Sequence, residues 1–313
     1  FYYDYKKDIN VDPVNRDYKK YNLPYVTELQ HEIDSIENIL IVPEILLAMK
    51  LLEKYKNIRK GVWFLSVGNC YLSRMKWNDF FFQRIINKFF KVFKKSTNFN
   101  IASARNVERL TKKYDYTKNL LLTKCNFFLT QSFFAQCWFD KLPNVFYLSD
   151  YINKYFLEKE LDVIRNKENI VAYNPSKGYS FTKKIIKSAK DICFVPIRNM
   201  TREEVINLLE RAKVYIDFGN HPGKDRMPRE AAILGCCVIT GKRGSAAYYE
   251  DVPIPDSYKF NDTKENIKLI VNKIRDCLNN YEERNNDFTY YREYIKNEPN
   301  KFIDDLKRIF VKV

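Results

Sequence analysis

At 313 residues the chain exceeds the roughly 100–200 usual for one domain, so two are expected, and 45% hydrophobic residues with 23 Tyr and 23 Phe exclude intrinsic disorder. A formal net charge of +15 asks for an anionic partner, whether nucleic acid, anionic lipid or a phosphorylated small molecule, without choosing among them. Seven cysteines with no CxxC spacing fit the reduced thiols of a cytoplasmic protein, two histidines leave little for a transition metal, and no run nears the ~20 apolar residues that cross a bilayer.

The chain opens on FYYDYKK without a Met, which leaves room for an upstream segment. In the first half, short apolar runs predict strands over NILIVP at 38–43, GVWFLSV at 61–67, NFFLTQ at 126–131 and NVFYL at 144–148. Helical patterns lie between them, including EILLAMKLLEKYK from Glu44 and an aromatic, basic segment from Asp79 to Lys95. The polar stretch between Ser149 and Glu168 is the expected interdomain connection.

A second series begins near residue 168 with the strand NIVAYNP and a helix from Tyr179 to Ala189. The strand DICFVPI follows, then a helix opened by the cap Thr201 before REEVINLLERA. KVYIDFG, a helix opened by Pro228 and the strand CCVIT complete the alternation of a doubly wound domain. Helices are expected over 263–285 and 287–313, the last positioned to pack back on the first domain. The division is therefore 1–155, 168–286 and a C-terminal helix over 287–313.

In an open α/β sheet, ligands bind beyond the C-terminal strand ends, and the polar clusters of the second half fall at such ends. GNHPGKD, residues 219–225, closes one strand, and the reading places Glu230 in the first helical turn, where the helix dipole favours an ionised carboxylate able to accept two hydrogen bonds from a ribose diol. Glu230 could equally satisfy helix N–H groups or pair with Arg226. Gly223, Lys224 and Arg226 bring amides and cations to the same helix start, although charged turn residues can simply be solvated. The next strand ends in GKRGSAA, where Gly244, Ser245 and Ala246 offer small side chains and free amides. Lys177 and Gly178 of NPSKG, and Arg198 after DICFVPI, are further candidates at the same sheet edge. His221, in the turn itself, is a candidate contact for a sugar or phosphate of the bound ligand, as a neutral or a protonated imidazole, or else a loop histidine with no role. Together they outline a crevice for a nucleotide diphosphate that needs no metal, because lysine and arginine can neutralise the leaving group.

Asn174 to Gly178, Asp217 to Glu230 with AAILGCCVIT, and Gly241 to Ala246 resemble the donor-binding domain of GT-B glycosyltransferases of the bacterial capsular or surface polysaccharide type. The resemblance spans about 100 residues and implies two facing Rossmann-like domains, a nucleotide-diphosphate sugar as donor, no cofactor, and a glycan or lipid-linked acceptor bound by the N-terminal half. It assigns the ribose to Glu230, the diphosphate to Lys177, and the phosphates or donor sugar to Gly244–Ala246. Many retaining members carry a further Glu eight residues before the ribose-binding one; Pro222 stands there instead. Base candidates at the first-domain strand ends are Glu44 and Asp150, with Asn69, Gln131 and Ser132 at comparable positions, although Glu44 and Asp150 are also apt helix-capping residues.

QRIINKFFKVFKK, residues 83–95, alternates apolar and basic positions at helical spacing. It fits an anionic membrane surface, which would make the protein peripheral at the inner face of the cell membrane, or a core-packed helix with a solvated basic face. Two other readings stay open: a nucleic-acid-binding protein, disfavoured because its aromatics lie in apolar runs, and a GT-B-like scaffold without activity.

Overall fold

The computed structural model describes residue 14 and residues 19–26, 30–74, 104–158 and 167–311. Segment 83–95 and the helix expected from Asp79 to Lys95 lie outside them.

The first sheet is parallel, in the order β1 (Ile39–Pro43), β2 (Arg59–Phe64), β3 (Phe127–Thr130), β4 (Val145–Tyr147). β2 stops at Phe64, short of the expected end at 67, because Ser66 caps the next helix by accepting from Asn69 N at 3.2 Å. The helices here are short: α1 (Leu46–Met49), α2 (Val67–Leu72), α3 (Ala104–Lys113) and α4 (Phe133–Trp138). EILLAMKLLEKYK thus yields one helical turn and a tighter 3₁₀ turn over Lys50–Glu53. Val62, Phe64, Phe128 and Phe139 form the centre of this core, with the Phe64 and Phe139 rings stacked 3.9 Å apart.

After α5 (Lys154–Leu157) comes the second parallel sheet, in the order β6-β5-β7-β8-β9, from β5 (Glu168–Tyr173), β6 (Cys193–Pro196), β7 (Ala212–Asp217), β8 (Cys237–Gly241) and β9 (Lys259–Phe260). α6 (Tyr179–Ser188), α7 (Arg202–Arg211) and α8 (Arg226–Ile233) connect the first four strands of this sheet. A capping box opens α7, Thr201 and Glu204 each accepting the other's backbone N–H. The chain closes with α9 (Ile267–Asn279), α10 (Tyr281–Asn286) and α11 (Thr289–Phe310); the helix expected over 263–285 is two, broken at Asn280.

β5 lies between β6 and β7, so the connections leaving β5 and reaching β7 run to opposite sides. The strand order reverses between β5 and β7, and the crevice that ligands use in such sheets opens at their C-terminal ends. Buried Val171, Val214, Tyr215, Val238 and Ile239 fill the sheet, and Ile152, Phe156, Tyr291 and Ile295 join the same core from outside it. The chain therefore enters the second core by Ile152. The far end of α11 reaches the first sheet, where the Phe310 ring meets that of Phe127 at 5.7 Å and Arg308 Nη2 donates to Tyr147 O at 3.4 Å.

Loops at the C-terminal ends of both sheets meet. Val67 N donates to Pro222 O at 2.7 Å, and Lys224 N to Gln131 Oε1 at 3.3 Å. Asp251, after β8, caps α4 of the other domain by accepting from Phe133 N at 2.8 Å and Phe134 N at 2.9 Å. The sheets thus face each other through their strand ends.

Candidate active site

The β5–β7 crevice is built from two turns that lock together. Asn174 Oδ1 accepts from Ser176 N at 2.9 Å to fold the first turn, and Gly178, at φ 60°, starts α6 in the left-handed conformation. A Cβ at Gly178 would sit 2.1 Å from the Phe218 carbonyl oxygen, so only glycine lets the β5 turn lie against the end of β7. No side chain caps α6, whose N-terminus faces this junction.

Beyond β7, Asp217 accepts from Gly219 N at 2.8 Å and from the Tyr215 hydroxyl at 3.0 Å. The fully buried His221 lies between two carboxylates, Nδ1 2.9 Å from Asp225 Oδ2 and Nε2 3.5 Å from Asp217 Oδ1. Neither contact is aligned as a hydrogen bond, so the attraction is electrostatic. Burial by itself would lower the His221 pKa, but the charges of Asp217 and then Asp225 outweigh it and push it up to about 10. Lys177 Nζ approaches Asp225 Oδ2 to 2.6 Å. Burial would raise the Asp225 carboxyl, yet His221 and Lys177 hold it below its ordinary range.

Among the described residues, Asp217, His221 and Asp225 form the group with metal-ligand chemistry, their ligand atoms lying within 4.8 Å of one another. These three side chains could hold a divalent cation, and Lys177 is a second source of positive charge beside Asp225.

α8 begins at Arg226, which puts Pro228 third and Glu230 fifth, beyond the first turn expected from the sequence. Proline is tolerated there because the N–H it lacks has no intrahelical acceptor. Glu230 is 7% exposed, and its carboxylate makes no hydrogen bond or ion pair among the described residues, Arg226 included. Burial raises its carboxyl above the usual range, while Arg226, Arg229 and Arg202 pull the other way. Arg226 and Arg198 are exposed.

Other candidates make contacts within the protein. Lys224 is buried; its Nζ lies 2.8 Å from Glu298 Oε1 and donates to Ser149 Oγ and Tyr294 OH, each at 3.0 Å. Gly223 is pressed against the first domain, a Cβ there falling 2.0 Å from Leu65 O. Ser245 N donates to His221 O at 2.9 Å and Ser245 Oγ to Gly223 O at 2.6 Å. Gly244 at φ 57° and the buried Ala246 complete the same packed turn, so it braces residues 221–223 with the Ser245 amide already used. Asp150 Oδ1 is held by Arg229 Nη2 at 2.8 Å. Glu44, 1% exposed, accepts from Leu65 N at 3.0 Å and also from Asn69, with burial raising its carboxyl. Ser132 caps α4, accepting from Ala135 N at 3.1 Å.

Arg229 is a residue of this cluster that was not legible in the sequence. It is fully buried and binds Asp150, Glu298 Oε2 at 2.9 Å and Lys224 O at 3.0 Å. Its position in the PRE run gave no sign of this, since the partners are 79, 69 and 5 residues away.

No protein-family model matches the chain, and a comparison with curated sequences finds no match. Among solved structures it is similar to a mutant of TarM from S. aureus in complex with Fondaparinux, alpha-GlcNAc-glycerol and UDP, at TM-score 0.56 and 14% identity over 89% of this chain and 56% of that one. Sucrose-phosphate synthase from Thermosynechococcus elongatus aligns at TM-score 0.54 and 12% identity over 86% and 74% of the two chains. The pneumococcal O-GlcNAc transferase GtfA in complex with UDP and GlcNAc aligns at TM-score 0.52 and 12% identity over 94% and 59%. The chain thus spans little more than half the length of TarM and GtfA. These neighbours are GT-B glycosyltransferases, and the fold of this chain is GT-B, two facing Rossmann-like domains. Among the described residues, no helix is long and apolar enough to cross a membrane.

Proposed function

We propose that the protein is a glycosyltransferase that moves a sugar from a nucleotide-diphosphate donor to a glycan or lipid-linked acceptor in surface polysaccharide synthesis. The observation that carries this reading is Glu230, a residue only 7% exposed whose carboxylate has no hydrogen-bond or ion-pair partner among the described residues, on the helix that follows the β7 turn. A carboxylate free of such partners can accept both hydroxyl hydrogen bonds of a ribose diol. Lys177, Arg198 and Arg226, with the uncapped start of α6, are the groups proposed for the diphosphate. His221, whose charge stays inside the turn, and Gly244–Ala246 shape the crevice, while Lys224 is left out of the ligand set.

The reaction joins the acceptor oxygen to the anomeric carbon and breaks the bond from that carbon to the diphosphate. Lys177 and the arginines offset the charge that develops on the departing oxygen without a metal. Glu44 and Asp150 are both engaged within the protein, so the acceptor proton passes to the departing diphosphate, itself a base. Binding sets hydroxyl and anomeric carbon side by side, which lowers the barrier by removing their relative motion. On sequence grounds, segment 83–95 is the proposed contact with an anionic membrane surface where a lipid-linked acceptor would be held.

Calorimetric titration with UDP, GDP, CMP and ADP tests this. One nucleotide is expected to bind saturably, and Glu230→Ala or Lys177→Ala to weaken it by about 10–100-fold, the loss of one or two charge-assisted hydrogen bonds. No nucleotide response together with tight, salt-sensitive binding of DNA or RNA would sink the proposal.

A further inference from the structure

A cavity of 330 Å³ opens where the two domains meet, and none of its lining residues belongs to the donor crevice. Phe133 of α4 and Tyr147 of β4 form one side; Tyr249 and Glu250, from the loop after β8, and Tyr290 and Lys301 of α11 form the other. Its volume is at the lower end of the ~300–1,000 Å³ range for small-ligand pockets.

The lining has two properties. Tyr249 and Tyr290 present parallel rings, 6.3 Å apart and inclined by 12°, and both are more than half exposed, at 57% and 59%. Flat aromatic faces left open to water suit the C–H face of a pyranose, while phenol hydroxyls, Gln136 and the charged pair supply partners for its hydroxyl groups. Glu250 and Lys301 also balance in charge. A phosphorylated ligand would want the cations found around Lys177 and would be repelled by Glu250, so a neutral sugar fits better.

The pocket is coupled to the turn that shapes the donor crevice. Tyr294, a lining residue, accepts from Lys224 Nζ at 3.0 Å and donates to Glu250 O at 3.1 Å. The neighbouring Asp225 holds Lys177.

We propose that this seam pocket is a second glycan subsite, binding one neutral hexopyranose unit of a longer chain apart from the donor crevice. Its role in gripping an acceptor rests on the glycosyltransferase reading; its capacity to bind a sugar does not. Saturation-transfer NMR with chitotetraose, maltotetraose and cellotetraose, without nucleotide, tests it. At least one is expected to respond. Tyr249→Ala and Tyr290→Ala, both at exposed positions, should weaken that response by about tenfold, Tyr290→Phe should keep it, and the nucleotide affinity of all three variants should match the wild type. Silence from all three sugars, or a response that survives both alanine variants, overturns the subsite. Sugar binding without any nucleotide binding would uphold the subsite and remove the donor reading; nucleotide binding without sugar binding would do the reverse.

Discussion

At the scale of single residues, the carboxylates of the β7 turn lie close to the side chains of His221 and Lys177. His221 sits between Asp217 and Asp225, and its pKa is pushed up to about 10 from an ordinary 6.5. A folded-state pKa above the unfolded one adds stability that is complete below the unfolded value and is lost as pH rises through the folded value. Stability should therefore fall between about pH 6.5 and pH 10, by an amount on the order of a few kcal/mol. Lys259 acts in the opposite sense: burial lowers its pKa to about 8, so a cost present in acid is relieved as pH rises toward 10.5. Urea midpoints for the wild type and His221→Gln across this range separate the two. The difference between the proteins should shrink as pH rises; a constant difference would mean that the imidazole is neutral throughout. Glu230 contrasts with this cluster, because its carboxylate has no hydrogen-bond or ion-pair partner among the described residues.

At the scale of elements, the β7 turn is held against the first domain by close backbone approach. The Cβ of Gly223→Ala would fall 2.0 Å from Leu65 O and 2.9 Å from Gln131 Oε1. Backbone must give way, at a cost of about 1–3 kcal/mol, so the variant should lower the urea midpoint and weaken the nucleotide by moving the turn that carries Asp225. An unchanged midpoint would show that the loop after β2 yields freely. Pro222 has a role in the same contact: its carbonyl accepts from Val67 N, and its ring lies 3.2 Å from where a Cβ of Gly68 would stand. Much of this architecture could be read from the sequence. Apolar runs such as CCVIT marked buried parallel strands, and Thr201 before REEVINLLERA marked a helix start, because both signals are local. The start of α8 was misread because proline suits any of the first few helical positions, not the first alone. Lys224 and Gly244–Ala246 were legible as a basic turn and a glycine turn. Their packing was not, since Lys224 meets Ser149 and Glu298, residues 75 and 74 positions away, and nothing local announces a partner at that distance.

At the scale of the whole molecule, one carboxylate joins three parts of the chain. Glu298 of α11 binds Lys224 of the β7 turn at 2.8 Å and Arg229 of α8 at 2.9 Å, and Arg229 carries the link on to Asp150 at the end of the first domain. Burial alone would lower the pKa of both cations; Glu298 is the leading influence that raises them instead, so both stay charged. Lys224 is 3% exposed and Arg229 0%, so Glu298→Ala leaves buried positive charges facing each other across a gap. Breaking a buried pair on one side costs about 3–5 kcal/mol, whereas replacing all its members by apolar residues of similar size is often neutral. Glu298→Ala should thus be much less stable than Glu298→Leu combined with Lys224→Met and Arg229→Met. In that triple variant Asp150, whose side chain is 27% exposed, can turn to water. Calorimetry adds a second readout. If the network holds the two sheets in one cooperative unit, the single variant should split one unfolding transition into two, and the triple variant should restore stability to the separate domains without restoring their coupling. A triple variant that unfolds in one transition would instead assign the coupling to the contacts that Pro222 O and the Asp251 carboxylate make with backbone N–H groups of the first domain.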